Sequence, residues 1–191
     1  MSASTSAPSR GSYTITDPPL VAALFGNTRW AWLWAILRVW LGYDWITHGI
    51  DKLGNPAWMS GESLLGFWQR AVAIPEAPGR PLIAFDWYRN FLQALMDGSS
   101  HVWFAKFVAI GELLVGIALV LGIFTGIAAF FGGLMNFNFM LAGTASTNPV
   151  LFLAAVLLIM AWKVAGWWGL DRFVLPLLGT PWRPGRLFEK K

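Results

Sequence analysis

The sequence predicts an all-α, polytopic membrane protein: a bundle of four transmembrane helices, with two amphipathic helices in the long loop between spans one and two. Three observations predict it. Within residues 102–149 roughly forty consecutive residues are apolar or small, and a straight helix of that length would measure about 60 Å, twice the hydrocarbon thickness of a bilayer. The stretch must therefore fold back, and Gly122-Ile-Phe-Thr125-Gly126 is the only break within it. The second observation is composition, 56% hydrophobic against 13% charged, which is outside the range of soluble domains. The third is a set of 13 Trp, many at the ends of apolar runs, where indole is suited to an interface that is apolar on one side and wet on the other.

The same composition excludes several classes. The absence of Cys removes disulfides, iron–sulfur clusters, zinc thiolate sites and a protein-borne persulfide. Two histidines, His48 and His101, leave little for a metal or haem held by this chain alone. The net charge of +4 comes from scattered basic residues rather than a patch, so no nucleic-acid partner is expected.

Residues 1–28 begin with a Ser/Thr/Pro-rich stretch and read as a mobile cytoplasmic tail. Span one covers 29–50. Its polar residues Arg38, Asp44, His48 and, just beyond, Lys52 fall in one sector, opposite Val39, Trp40, Tyr43, Ile46 and Ile50. This predicts a polar seam toward protein and an apolar face toward lipid. The interfacial loop 53–101 holds two amphipathic segments, Glu62–Val72 and Ala84–Met96, separated by Pro75, Pro78 and Pro81. They read as a structural cap or as a lid over a site. Spans two and three occupy 102–123 and 125–142. Span four runs over 148–168, with Pro149 in its first turn, where a missing N–H costs nothing. Near its far end, Lys163 reads as a lysine snorkelling to lipid head groups. A basic tail, 172–191, closes the chain. Arg10, Arg29 and five basic residues after the last span (Arg172, Arg183, Arg186, Lys190, Lys191) outnumber Arg70, Arg80 and Arg89 of the loop, so both termini are expected in the cytoplasm.

With that topology, counting about 1.5 Å per residue puts Arg38, Glu112 and Asn136 at similar depths on three helices. An ionisable group within the membrane is expensive and conspicuous. Small residues around Glu112 (Ala105, Ala109, Gly116) and Asn136 (Ala129, Gly132, Gly133) permit close helix approach or room for a flat ligand. Two readings stand: a buried Arg38–Glu112 pair that holds helices in register, or a quinone pocket in which that pair manages charge and protons. Nearer the outer face, Asp44, His48, Lys52 and Lys106 form a second polar group, read as an ion-pair cluster or as an anion site on His48, Lys52 and Lys106.

Several motifs, in order, resemble the DoxX/DoxD family of four-span membrane proteins. They are Arg38-Val-Trp-Leu-Gly42-Tyr-Asp-Trp45 with His48-Gly49 and Lys52-Leu53, then Phe104 through Gly111-Glu112 with Gly116, Leu121-Gly122 and Thr125. Met135-Asn136-Phe-Asn-Phe-Met-Leu-Ala-Gly143, Thr147-Asn-Pro149 and Gly169-Leu-Asp-Arg172 look like the DoxD branch. The resemblance implies a membrane subunit of thiosulfate:quinone oxidoreductase in a prokaryotic cytoplasmic membrane, converting thiosulfate to tetrathionate with quinone as electron acceptor. Joined to the two polar clusters, that activity gives Glu112 and Arg38 as the expected catalytic residues, Asn136, Trp45 and Gly116 as quinone contacts, and His48, Lys52 and Lys106 as the thiosulfate site. Expected partners are membrane lipid, a DoxA-like second subunit, of which this chain shows no segment, and further copies of the chain. The competing expectation is a non-catalytic anchor or assembly subunit of a redox or thiol-stress complex. A small-solute transporter is disfavoured by the lack of an internal repeat or broken helix.

Overall fold

The computed structural model describes residues 16–179, and these are helical without strands. The ends of both expected tails lie outside the described residues, as do Arg10, Arg183, Arg186, Lys190 and Lys191. The helices are α1 (Pro19–Gly26), α2 (Ala31–Leu53), α3 (Pro56–Met59), α4 (Glu62–Val72), α5 (Asp86–Asp97), α6 (His101–Leu121), α7 (Thr125–Leu141), α8 (Asn148–Met160), α9 (Trp162–Ala165) and α10 (Asp171–Leu178). Among the described residues, α6 is the one helix that is long and apolar enough on its own to cross a membrane. The segment 19–53 passes the same test only as a pair bent by 60°. Helices α7 and α8 are apolar but have 17 and 13 residues.

Four long helices form a ring in which α2 packs on α6, α6 on α7, α7 on α8 and α8 back on α2. The interior is small and aliphatic around two tryptophans: Trp34, Leu41, Trp45, Val115, Leu119, Ala129, Ala155 and Leu158 are all buried there. The outside is apolar too. Val39, Trp40, Tyr43 and Ile50 on α2, Phe107, Ile110, Leu114 and Ile117 on α6, and Ile127, Phe130, Leu134 and Phe137 on α7 are all exposed. So broad an apolar surface is foreign to a soluble monomer and suits a lipid environment. The face assigned to lipid on α2 is thus exposed except at Ile46, which packs on Gly116.

Helices α2 and α6 run antiparallel and approach until backbone touches backbone. A Cβ on Gly116 would lie 2.7 Å from the Gly42 carbonyl oxygen and from Ile46, and one on Gly49 would lie 2.8 Å from Leu113 N. No side chain larger than hydrogen fits the crossing. This fixes the register: Gly42 lies level with Gly116 and Val120, and Gly49 with Leu113. The start of α2 therefore extends below the end of α6.

The hairpin turn falls where the sequence broke. Helix α6 ends at Gly122 in the left-handed conformation (φ +66°), and Phe124 at φ +48° leads into α7. Helix α8 begins at Asn148-Pro149 as expected. Its far end differs from a continuous span over 148–168: Ala161 interrupts it and α9 adds one further turn. Residues 19–26, expected in a mobile tail, instead form α1. Pro19 starts the helix, and the apolar run Leu20–Phe25 docks through Leu24 and Phe25 on Trp34, whose indole N–H donates to the Leu24 carbonyl at 2.8 Å.

At the other end, α3, α4 and α5 fold over the ring. The amphipathic helices fall within a residue or two of their expected bounds. Leu64, Trp68, Ala71, Ile83, Tyr88 and Leu92 form a second buried cluster against Ala105 and Ala142. The short α3 went unread; Asn55 caps it, accepting from the Ala57 and Trp58 N–H groups. Two hydrogen bonds hold the connection down, Trp58 Nε1 to the Ala105 carbonyl at 2.9 Å and Tyr88 OH to the Asn138 carbonyl at 3.0 Å. Burial pushes the Tyr88 phenol up to about 12.

Candidate functional site

The polar residues of the ring collect in two separate knots. In the upper one, under α3 and α4, the Glu112 carboxylate is 1% exposed and accepts from Lys52 Nζ through both oxygens, at 2.8 and 2.6 Å. The Lys52 ammonium also sits 5.1 Å from the Trp58 ring centroid and 5.9 Å from that of Phe139. His48, one turn below Lys52 and half-exposed, lies 3.3 Å from Asp44 through Nδ1 and Oδ2.

These groups border a cavity of about 430 Å³. Asp44, Trp45, His48 and Lys52 line it from α2, Glu112 from α6, Asn136 and Phe139 from α7, and Asn148 and Leu151 from α8. Trp58, Ser63, Phe67 and Arg70 form the wall made by α3 and α4, so the loop between spans one and two closes over the site. Four buried polar atoms of residues lining the cavity have no hydrogen-bond partner: Asp44 Oδ2, which faces His48, the Trp45 indole Nε1 and both amide atoms of Asn136, a residue with no exposed surface. Buried polar atoms are almost always satisfied, and one left bare costs about 1–3 kcal/mol. The indole and the amide thus put two donors and an acceptor beside a mostly apolar cavity, the usual makeup of a small-molecule site.

The lower knot holds Arg38, buried at the end of α6. Its Nη1 donates to the Leu119 carbonyl and, at 2.8 Å, to that of Val120, while Nη2 reaches the Trp168 carbonyl at 3.4 Å. A cation among the last carbonyls of a helix satisfies otherwise orphaned acceptors and opposes the helix dipole. Gly122 makes the approach possible, since a Cβ there would lie 2.6 Å from Arg38 Nη1. Beside it, buried Asp171 caps α7: its carboxylate accepts from the Phe124 N–H at 2.6 Å and the Thr125 N–H at 3.0 Å. The backbone completes the clasp, with Leu170 N–H donating to Leu121 O and Asp171 N–H to Gly122 O.

This arrangement departs from the expected one. Of the residues singled out from the sequence, Glu112, Asn136, Trp45, His48 and Lys52 meet at one cavity. Arg38 does not pair with Glu112. Their separation follows from the α2–α6 register, which puts Arg38 about ten residues, or about 15 Å, below the level of Glu112. Counting depth from the helix ends supposes that α2 and α6 share a lower plane, whereas α2 starts about two turns lower. Side-chain direction adds to the offset, because Cα–Cβ bonds lean toward a helix's own N-terminus. On α2 that is downward, which carries Lys52 toward Glu112 and Arg38 away from it. On α6 it is upward, which carries Glu112 toward Lys52. Gly116 is consumed by the helix crossing and does not line the cavity, and neither does Lys106, which is exposed on the outer face of α6. Arg70, Trp58 and Phe67 went unread as site residues, since a loop helix carries no marker of what it covers.

Comparison with known proteins agrees with the motifs. The family model described as DoxX matches residues 33–145, which include every residue named at the cavity except Asn148 and Leu151. Neither a curated protein nor a solved structure matches the chain.

Proposed function

The chain belongs to the DoxX family of membrane proteins, and from that premise we propose that it is the membrane subunit of a quinone-linked oxidoreductase, with thiosulfate as the donor. The reading places it in a prokaryotic cytoplasmic membrane with both termini inside. The ring helices are its four spans, and the interrupted α8–α9 segment is the last of these.

The observation that carries the proposal is the cavity wall, where Trp45 Nε1 and the Asn136 amide stand unpartnered beside the compensated carboxylate of Glu112. A quinone head group fits this set. Its carbonyl oxygens would accept from the Trp45 and Asn136 N–H groups, and a hydroxyl of the reduced form would donate to Asn136 Oδ1 or Glu112. When bound, quinone supplies the two-electron, two-proton acceptor. Lys52 donates to both Glu112 oxygens, and the carboxyl group is placed to exchange a proton with a bound head group. Arg70 is the cation of the cavity wall that has no carboxylate within ion-pair distance among the described residues, and it offers its charge to a small dianion. The overall reaction joins two thiosulfates through a new S–S bond and delivers the two electrons, with two protons, to one quinone. Arg38 is a structural clasp in this reading, and Lys106 stands apart from the chemistry. A DoxA-like subunit or a second copy of the chain completes the enzyme.

The test is thiosulfate-dependent quinone reduction, followed by quinone absorbance, with purified protein in the presence and absence of the partner subunit. Glu112→Gln should lower the rate about a hundredfold with the fold retained, the usual range for loss of a proton-transfer group. Turnover at the normal rate in that variant, or none in the wild-type complex, overturns the assignment. A second reading, a non-catalytic anchor, draws on a different fact: both buried charges already have structural partners, Lys52 for Glu112 and three carbonyls for the terminal nitrogens of Arg38. In that case Glu112→Gln changes stability alone, and the protein co-purifies with a soluble partner but without quinone.

A further inference from the structure

A second cavity, of about 270 Å³, opens at the lower end of the ring, far from the Glu112 site. Its walls come from three separate parts of the chain: Gly26 at the end of α1 with Thr28 just after it, Lys163 and Val164 on α9, and Trp167 with Asp171, Arg172, Leu175 and Pro176 of α10. Lys163 sits on the single turn that follows the interruption at Ala161.

Its chemistry is divided between polar and apolar parts. Lys163 and Arg172 both line it, and neither forms an ion pair with a carboxylate among the described residues. The one acid in the groove is Asp171, whose oxygens are engaged by the Phe124 and Thr125 N–H groups. It is therefore poorly placed to neutralise either cation. The Arg172 guanidinium carbon lies 5.4 Å from the Trp167 ring centroid and 5.9 Å from that of Phe173, so the aromatic rings hold it at the groove edge. Thr28 adds a hydroxyl. Val164, Leu175 and Pro176 supply an apolar strip along the same groove.

The geometry points to a binding site for an anionic phospholipid, with the headgroup phosphate between Lys163 and Arg172 and the start of an acyl chain on Val164, Leu175 and Pro176. A free phosphate would use only the cations. The adjoining apolar strip favours a molecule whose anion is attached to hydrocarbon. Such a ligand would tie α1, α9 and α10 together at the end where Arg38 and Asp171 close the ring. This inference uses the membrane setting but no part of the quinone reading.

The full chain, purified in a nonionic detergent, would be titrated with phosphatidylglycerol and with phosphatidylcholine of the same acyl chains, and bound lipid counted by native mass spectrometry. Phosphatidylglycerol should form a one-to-one adduct at detergent levels that remove phosphatidylcholine, and excess inorganic phosphate should not displace it. Lys163→Gln and Arg172→Gln should each weaken the adduct about fivefold, as expected for one basic residue at an anionic lipid surface. Lys163→Arg should preserve the adduct, and Arg80→Gln, in the exposed loop at the opposite end, should leave it unchanged. Equal retention of the two lipids, an undiminished adduct in both Gln variants, or displacement by phosphate would overturn the site. Quinone reduction measured on the same samples keeps the two proposals separate.

Discussion

The Lys52–Glu112 pair makes an asymmetric prediction about stability. Lys52→Met removes the cation and strands a carboxylate that is 1% exposed beneath two helices of the loop. Breaking a buried pair by deleting one partner costs about 3–5 kcal/mol, and at 1% exposure Glu112 gains little hydration to reduce this. Glu112→Gln removes the anion instead. Lys52, 18% exposed, can turn toward the cavity mouth and keep its stacking on Trp58, so the loss should be about 1–3 kcal/mol. The double variant Lys52→Met/Glu112→Leu leaves no buried charge and should recover most of the deficit, as when hydrophobic side chains replace a buried ion pair. Thermal unfolding in detergent, followed by tryptophan fluorescence, reads all three. At about 2–4 °C per kcal/mol for a chain of this size, Lys52→Met should melt roughly 10 °C below wild type. Equal, small losses in both single variants would show that the pair is solvated and that the connection does not seal the cavity, which refutes the reasoning for the site as well.

Three further outcomes follow from the geometry. Asn136→Leu removes two unpartnered amide atoms in exchange for a similar volume of hydrocarbon, so the ligand-free protein should gain about 1–2 kcal/mol in a melt while its quinone affinity falls. Gly116→Leu forces a side chain into the α2–α6 crossing, where even a Cβ would meet Gly42 O at 2.7 Å; it should cost more than about 3 kcal/mol or prevent accumulation of folded protein, measured as the monodisperse fraction on size exclusion. Tyr88, with its phenol raised to about 12, should be missing from the tyrosine ionisation seen near 10 and appear later, in a difference titration against Tyr88→Phe. The sign follows from proton counting: between the two values the folded state keeps a proton that the unfolded state has released. Tyr88 thus lends stability below about 10 that is lost as the pH rises through 12.

Much of this architecture is legible in the residue pattern. The hairpin break at Gly122, the two amphipathic loop helices, the α8 start at Asn148-Pro149 and the burial of Glu112 and Asn136 all rest on local periodicity or on the cost of a charge in apolar surroundings. The partner of Glu112 is a different kind of quantity. It depends on the stagger of α2 against α6, which is set by the Gly42–Gly116 contact between residues far apart in sequence, and on the lean of each side chain. The lean is predictable once two helices are known to be antiparallel, and applying it would have favoured Lys52 over Arg38. The stagger is not predictable from either helix alone. Trp45 illustrates the same limit: its unpartnered indole is seen only when Gly132, whose absent side chain leaves Trp45 Nε1 just 3.0 Å from the position of a Cβ, is brought opposite. The interruption at Ala161 has no marker in the sequence, because no Gly or Pro stands there.

The lower clasp also bears on how the chain is made. A polypeptide leaves the ribosome from its N-terminus, and a membrane protein inserts its helices largely in that order. Arg38 emerges with the first long helix, yet its carbonyl partners come 81, 82 and 130 residues later. An arginine costs up to about 2.5–3.5 kcal/mol at the centre of a membrane helix on insertion scales, and less toward the end, where Arg38 lies. Until α6 arrives, α2 must hold that guanidinium in the interface or keep it with the insertion machinery. Asp171 lies still later, so the start of α7 stays uncapped until almost all of the described chain has been synthesised. The nascent bundle therefore stays open at this end through most of translation, and a chain truncated before Trp168 would insert its hydrophobic helices with the arginine still lacking its full set of partners.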